Sequence, residues 1–298
     1  MPVQFTVLAS GSRGNSVQIR GAGASLLIDA GLGPKATAGR LAAVGECIGD
    51  VGAVLLTHTH SDHLQGPMLA YMARQGIPLY CHEGHQNQLA RLDGFLPLWQ
   101  ADLVRFYDDR PMLLPNGMQI EPVPLRHDGG PTFGFRIEAR FDRRSRAAAI
   151  GYLADTGCWW DAMADAFTDV NLLGVEFNHD VPMQLNSGRS PHLIGRVLGD
   201  RGHLSNEQGA GFLAAVLQRS AAGTLRDVVL LHLSQQCNCP DLAVETARAA
   251  VRVAKRRINV HAAKQGVPHP HLPVRPSARR ARAPFAPAFA FPWEQAGV

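Results

Sequence analysis

The chain lacks any apolar run approaching the ~20 residues that a bilayer span needs, although 46% of its 298 residues are hydrophobic. A membrane-spanning helix is therefore excluded, and no membrane partner is expected. The opening residues Met1 to Phe5 hold no basic stretch followed by an apolar core, so no secretory signal is expected. Cysteine is sparse and odd in number, with five residues at positions 47, 81, 158, 237 and 239. That argues against a disulfide framework and for reduced thiols in a cytoplasmic protein. Charge is modest too: 18% of residues, in the range of a globular enzyme. The net charge of +4 is uneven. Residues 1–251 carry 20 Lys and Arg against 24 Asp and Glu, a net −4. Residues 252–298 carry nine against one, a net +8, so the basic character belongs to the tail.

What is abundant is histidine in one place. Thr57-His58-Thr59-His60-Ser61-Asp62-His63 follows the apolar run Ala53-Val54-Leu55-Leu56, which reads as a buried strand. Met68 to Ala73 then has helical spacing, so the cluster lies where a strand gives way to a helix. His58 and His60, two apart, point the same way in an extended segment. Asp62 and His63 fall in the turn and aim at a second point. The spacing suits two metals side by side. Packing is a poor explanation, because each buried unsatisfied polar group costs roughly 1–3 kcal/mol.

Other chemistry-bearing residues also sit at strand ends. Strands are expected over 3–8, 25–28, 77–81, 103–106, 118–125, 133–138, 148–153, 170–176 and 227–231, with helices over 34–46, 82–92, 193–198, 208–218 and 240–257. His127 follows one strand; alone, it reads as an ordinary imidazole. Asp155 follows another and can bridge two cations, or equally form an Asx-turn or cap a helix. Glu176 closes the strand before Asn178 and His179; His203 precedes Ser205 and Asn206, one of which caps a helix. His232 ends the last of these strands. The loop Ala9 to Ser16, with Ser12 and Asn15, is an ordinary hairpin loop on spacing alone, or one that offers backbone N–H groups to an anion.

Taken in order, Ser10-Gly-Ser-x-Gly-Asn-Ser16, His58-x-His-x-Asp-His63, His127-Asp128, Asp155-Thr-Gly157, Glu176-x-Asn-His-Asp180, Gly202-His-Leu-Ser-Asn206 and His232-Leu-Ser234 resemble the metallo-β-lactamase superfamily, and within it the YycJ/WalJ-like exonuclease branch. The resemblance spans about residues 3–250. Phe177, where the branch more often has a small residue, and Cys237-x-Cys239 depart from its pattern. Two thiols without further partners read as reduced bystanders.

The resemblance implies an α/β fold, the metallo-β-lactamase αββα sandwich of two mixed β-sheets flanked by helices, over residues 1–258. It implies two divalent metal ions, Zn or Mn. One is held by His58, His60 and His127, the other by Asp62, His63 and His232, and Asp155 bridges them. Asp29 is expected behind them, orienting a ligand histidine. Asp62 would hold and deprotonate the attacking water, and Glu176 with His203 would protonate the leaving oxygen. Ser12, Asn15, Asn178, His179, Ser205 and Asn206 are expected to contact substrate. The activity implied is a phosphodiesterase on nucleic acid, a 5′-to-3′ DNA exonuclease. The alternatives are an RNA-processing nuclease, a cyclic-phosphate phosphodiesterase, or a catalytically idle nucleic-acid-binding module. The Pro-, Ala- and Arg-rich tail, 259–298, is expected to be disordered. As a flexible basic arm it would bind phosphate backbone or serve only as a solubilising extension.

Overall fold

A computed structural model describes residues 2–277 except Ala22 and Arg143. Two seven-stranded sheets lie face to face. The first contains β1 (Val3–Ala9), β2 (Ser16–Gly21), β3 (Ala24–Ile28), β4 (Val51–Leu55), β5 (Leu79–His82) and β6 (Val104–Tyr107). The second contains β7 (Met112–Leu113), β8 (Gln119–Leu125), β9 (Thr132–Ala139), β10 (Ala148–Leu153), β11 (Leu172–Glu176), β12 (Asp227–Leu231) and β13 (Asn259–Ala262). The chain then returns as β14 (Leu272–Val274), and the orders are β14-β1-β2-β3-β4-β5-β6 and β13-β12-β11-β10-β9-β8-β7. Each sheet is mixed: three successive antiparallel pairings, then three parallel ones. β10 shows why the parallel strands read as unbroken apolar runs: all six of its residues are buried, as a strand covered on both faces requires.

The layers follow from three apolar clusters. Phe5, Ile19, Leu26 and Leu55 of the first sheet meet Phe135, Ile150, Tyr152 and Leu231 of the second between the sheets. Leu41, Met68, Leu69, Met72 and Leu98 bring helices onto the outside of the first sheet. Met163, Phe212, Leu213, Val216 and Ala247 do the same for the second. The result is the expected αββα sandwich. Phe177 is buried in the second-sheet cluster, so the larger side chain is absorbed by packing.

Local signals set the helix ends. Gly76, left-handed at φ 71°, ends the helix Gly66–Gln75. Ser205 and Gln208 form a reciprocal capping box on Asn206–Arg219. The helix expected over 82–92 is shorter: His82 ends β5, and one 3-10 turn leads into Gln86–Leu89. Short helices at Phe95–Gln100, Asp161–Ala166 and Val181–Leu185 carried too little periodicity to be read. No helix among the described residues is long and apolar enough to cross a membrane.

The tail expected from residue 259 is corrected in its first part. β13 pairs parallel with β12, and β14 pairs antiparallel with β1. His271 ties β14 down, one ring nitrogen 2.6 Å from Thr6 Oγ1 and the other 2.7 Å from the Val44 carbonyl. Each strand is short, and its pairing partner lies far away in sequence, so composition hid it. The arginine cluster at 279–282 and the apolar piece 285–293 lie outside the described residues.

Candidate metal centre

The strand ends converge on one edge of the sandwich. β8 and β10 both run antiparallel to β9 and so end on the same side. Asp29 follows β3, His58 to His63 follow β4, His127 follows β8, Asp155 follows β10, Glu176 ends β11 and His232 follows β12. Crevices outside the carboxyl ends of parallel strands are where sheets of this kind present their sites. Asp29, Asp155 and His232 have left-handed backbone, with φ of 62°, 58° and 56°. Such conformations cost of order 1–3 kcal/mol each. They turn each chain sharply out of its strand, and three of them meet at this one place.

His58, His60 and His127 offer donor atoms within 4.8 Å of one another. So do Asp62, His63 and His232, and Asp155 groups with His58 and His63 as well as with His232. The rings are held from behind. His63 Nδ1–H donates to Asp29 Oδ2 at 2.7 Å, and His127 Nδ1–H donates to the Gly202 carbonyl at 2.9 Å. His58 Nδ1 lies 3.0 Å from the Thr57 hydroxyl, which itself donates to Asp29. These contacts turn Nε2 of all three rings toward the shared space, where His58 Nε2 lies 3.0 Å from His60 Nδ1. Asn15 braces the second group, its amide nitrogen 2.9 Å from His63 Nε2 and 3.3 Å from Asp62 Oδ2. Gly31 makes this approach possible: a Cβ there would sit 1.7 Å from the Asp62 carbonyl oxygen. Gly31→Ala is expected to cost about 3 kcal/mol, the upper part of the overpacking range, and to weaken metal binding. Urea unfolding followed by metal titration checks this, and an unchanged midpoint would refute the contact.

The electrostatics favour cations. Asp29, Asp155 and Glu176 are fully buried, and Asp62 is three-quarters enclosed. Burial pushes the Asp29 carboxyl up. Burial also opposes charge on Asp62, but His232 and His63 outweigh it and hold Asp62 at about 2. Glu176, likewise opposed by burial, is brought to about 2 by His203. Conversely, burial disfavours charge on His203 and His232, yet Glu176 pushes the first up to about 9 and Asp155 the second to about 10. Buried carboxylates thus stay ionised only by charging their histidines. Asp155 Oδ2 approaches His63 Nε2 at 2.8 Å yet accepts no hydrogen bond, and buried His232 Nε2 has no hydrogen-bond partner. Imidazole and carboxylate donors that face one another unsatisfied fit divalent metal ions.

Glu176 and His203 form a second arrangement on the same wall. Glu176 Oε1 accepts from His203 Nδ1–H at 2.7 Å, and its Oε2 accepts from the N–H groups of Thr156 and Leu204 at 3.0 and 3.2 Å. The His203 side chain retains 15% exposure, so it reaches the solvent side of the centre.

The expected substrate contacts fare differently. Ser12 is exposed at the loop tip. Asn15, Asn178, Ser205 and Asn206 are placed in the framework instead. Asn178 holds His232 through its ring (3.0 Å) and carbonyl (2.9 Å), Ser205 caps its helix, and Asn206 pairs with Asn238. His179 is only 1% exposed, beneath the surface. Nor does the 9–16 loop expose an anion nest: Gly11 N–H bonds Asn15 Oδ1, and Asn15 N–H bonds the Asp62 carbonyl. Cys237 is buried and Cys239 exposed, and no metal-competent group among the described residues includes a cysteine. Thr57, Ser10 (whose Oγ accepts from His232 N–H at 2.7 Å) and Asp128 stand in the motifs, but the sequence assigned them no role.

The Asp29 carboxylate gives a direct test. Asn at this position keeps the acceptor and tolerates φ > 0, so Asp29→Asn isolates the charge. Metal affinity is expected to fall about 10–100-fold, read by competitive chelation. Unchanged affinity would show that the charge has no part in orienting His63.

A sandwich of two mixed sheets with a His/Asp cluster at its common strand ends defines a metal-dependent hydrolase of metallo-β-lactamase fold. The beta-lactamase superfamily domain model matches residues 25–232. Over 245 residues the chain is 34% identical to exodeoxyribonuclease YycJ of Bacillus anthracis, covering 82% of this chain and 87% of that one. It is 30% identical to exodeoxyribonuclease WalJ of Streptococcus pneumoniae over 249 residues, covering 80% and 85%. The metallo-β-lactamase fold protein YhfI from Bacillus subtilis superposes with a TM-score of 0.62 at 17% identity, covering 90% and 99%. The chain therefore belongs to the beta-lactamase superfamily and, within it, to the YycJ/WalJ family. Proteins of this fold generally use a pair of divalent metals, and the His/Asp groups here are of the matching kind.

Proposed function

We propose that the protein is a two-metal phosphodiesterase acting on DNA, a 5′-to-3′ exonuclease. The observation that carries the reading is a His/Asp donor set joined through Asp155 to a Glu176–His203 couple on the same wall. The two 30–34% identical exodeoxyribonucleases support DNA and exonucleolytic action. His58, His60 and His127 would hold one cation, Zn or Mn, and Asp62, His63 and His232 the other, with Asp155 between them. Bound there, two such cations supply an activated water near neutral pH and offset charge on the phosphate. Asp62, held ionised, orients that water and takes its proton. His203, kept charged by Glu176, gives a proton to the leaving oxygen. Asn15 and Asn178 act through His63 and His232 rather than on the substrate.

A duplex labelled at one 5′ end tests this, with chelator-stripped protein, added Mn²⁺ or Zn²⁺, and His58→Ala as the blank. Metal-dependent release of the label in mononucleotides or short pieces, absent from the blank, is the expected result. An inert duplex, with a small generic phosphodiester still cleaved, would move the substrate to RNA or a cyclic nucleotide. The net −4 of residues 1–251 makes that the second reading. An Asp155→Ala protein that kept its function would mean an idle binding module.

A further inference from the structure

The loop that carries His127 has a second face. It forms one wall of a cavity of about 420 Å³, lined by His82, Arg126, Asp128, Pro131, Phe133 and Arg201 among others. The volume lies in the range of small-ligand pockets, ~300–1,000 Å³. The cavity meets the metal centre directly, because His127 and Asp128 line both: Asp128 Oδ1 lies 3.6 Å from His60 Nε2 and 3.4 Å from His127 Nε2.

Its chemistry is that of a nucleotide site. Arg126, whose Nη1 lies 3.6 Å from Asp200 Oδ2, and the exposed Arg201 bring two guanidinium groups to a body whose overall charge is negative. His82 Nδ1 accepts the Gly84 N–H at 3.1 Å, which leaves the ring proton on Nε2 as a donor. Two carboxylates line it: Asp128, neutralised by Arg196, whose Nη2 donates to Oδ1 at 3.1 Å, and Asp109, whose Oδ1 lies 3.7 Å from His82 Nε2. Pro131 supplies the apolar surface of the Pro131–Phe133 wall, with Leu125 and Phe133 buried behind it and the His82 ring 4.7 Å from that of Phe133.

We propose that this cavity binds one terminal nucleotide of the substrate strand, with its terminal phosphate on Arg126 and Arg201 and its base along the Pro131–Phe133 wall. The proposal rests on the nuclease reading of the centre and adds its substrate register: the strand end is seated one unit from the scissile bond, so products are mononucleotides. The backbone couples the two sites. Arg126 N–H donates to Thr156 Oγ1 at 3.3 Å, and Gly157 N–H donates to the Arg126 carbonyl at 3.0 Å, next to Asp155. Arg201 lies in the turn whose Gly202 carbonyl holds His127 and whose next residue is His203.

The test compares wild type with Arg201→Ala, Arg201→Glu and Arg201→Lys in the metal-loaded full chain. One readout is KM for a 5′-phosphorylated oligonucleotide, relative to KM for bis(p-nitrophenyl) phosphate. The other is calorimetric binding of deoxyadenosine 5′-monophosphate. Arg201→Ala is expected to raise the oligonucleotide KM at least about tenfold more than that of the small diester, as loss of a charge-assisted contact predicts. Arg201→Glu should be worse, and Arg201→Lys should recover part. Mononucleotide binding should weaken in the same order. Equal KM changes for both substrates, with mononucleotide affinity unaltered, would overturn the proposal. Should wild type cleave only the small diester, the nuclease reading fails on its own. The calorimetry then still decides the cavity: mononucleotide affinity that depends on Arg201 keeps it as a nucleotide site, and independence from Arg201 removes it.

Discussion

Asp155→Ala is expected to lower kcat/KM for a phosphodiester by at least about 10³-fold, the upper end of what one preorganised electrostatic partner is worth. It should also reduce bound metal below two per chain. The expectation follows from where the carboxylate sits. It is 2% exposed and lies 2.8 Å from His63 Nε2, 3.4 Å from His232 Nε2 and 3.3 Å from His203 Nδ1. Among the described residues, it is the carboxylate that groups with His58 of the first donor set, with His63 and His232 of the second, and with the proposed acid. Its removal leaves His63 facing only Asp29 and Asp62, so the charge balance of the centre fails. Elemental analysis of metal content alongside the rate separates loss of the metals from loss of the fold. Two metals retained with full activity would sink the bridging role.

His203→Ala is expected to lower kcat on DNA by 10²–10⁴-fold, the span of general acid catalysis, while both metals stay bound. The leaving group discriminates. A deoxyribose oxygen needs a proton, whereas p-nitrophenolate does not, so the loss on a p-nitrophenyl diester should be much smaller. Equal losses on both would assign His203 to the framework. The pH profile supplies the sign. Against the pull of burial, Glu176 pushes His203 up to about 9, so the acid is protonated below that value and lost as pH rises through it. Activity on DNA should therefore fall on the alkaline side. Glu176→Gln removes the raising charge, and that limb should move down toward the ordinary imidazole range. An alkaline limb unmoved by Glu176→Gln would show that another group sets it.

Much of the centre was legible because its signals are local. His58, His60, Asp62 and His63 stand within six residues, and apolar runs mark the strands that end at His127, Asp155, Glu176 and His232. A strand end is visible in one dimension, since it needs only a run of buried side chains and a break. Which side chains face substrate is not visible in this way. Asn15, Asn178, Ser205 and Asn206 have the composition of phosphate contacts, yet each spends its polar atoms inside the fold, on Asp62 and His63, on His232, on a helix cap and on Asn238. A short polar side chain serves either end equally well, and only burial chooses.

By itself, the sequence located the strand ends and the donor residues at them, through residue type, hydrophobic period and short spacings, and its resemblance to known motifs supplied the fold class and the family. The tertiary structure alone decided the rest, because the deciding partners are far apart in the chain. Asn15 meets Asp62 across 47 residues, His127 meets Gly202 across 75, Ser10 meets His232 across 222, and Thr6 meets His271 across 265. The last pair turned part of a Pro-rich tail into a strand of the first sheet. The left-handed turns at Asp29, Asp155 and His232 were equally hidden. Asp and His tolerate such turns without requiring them, and the strain persists only because packing from both sheets holds each chain in place.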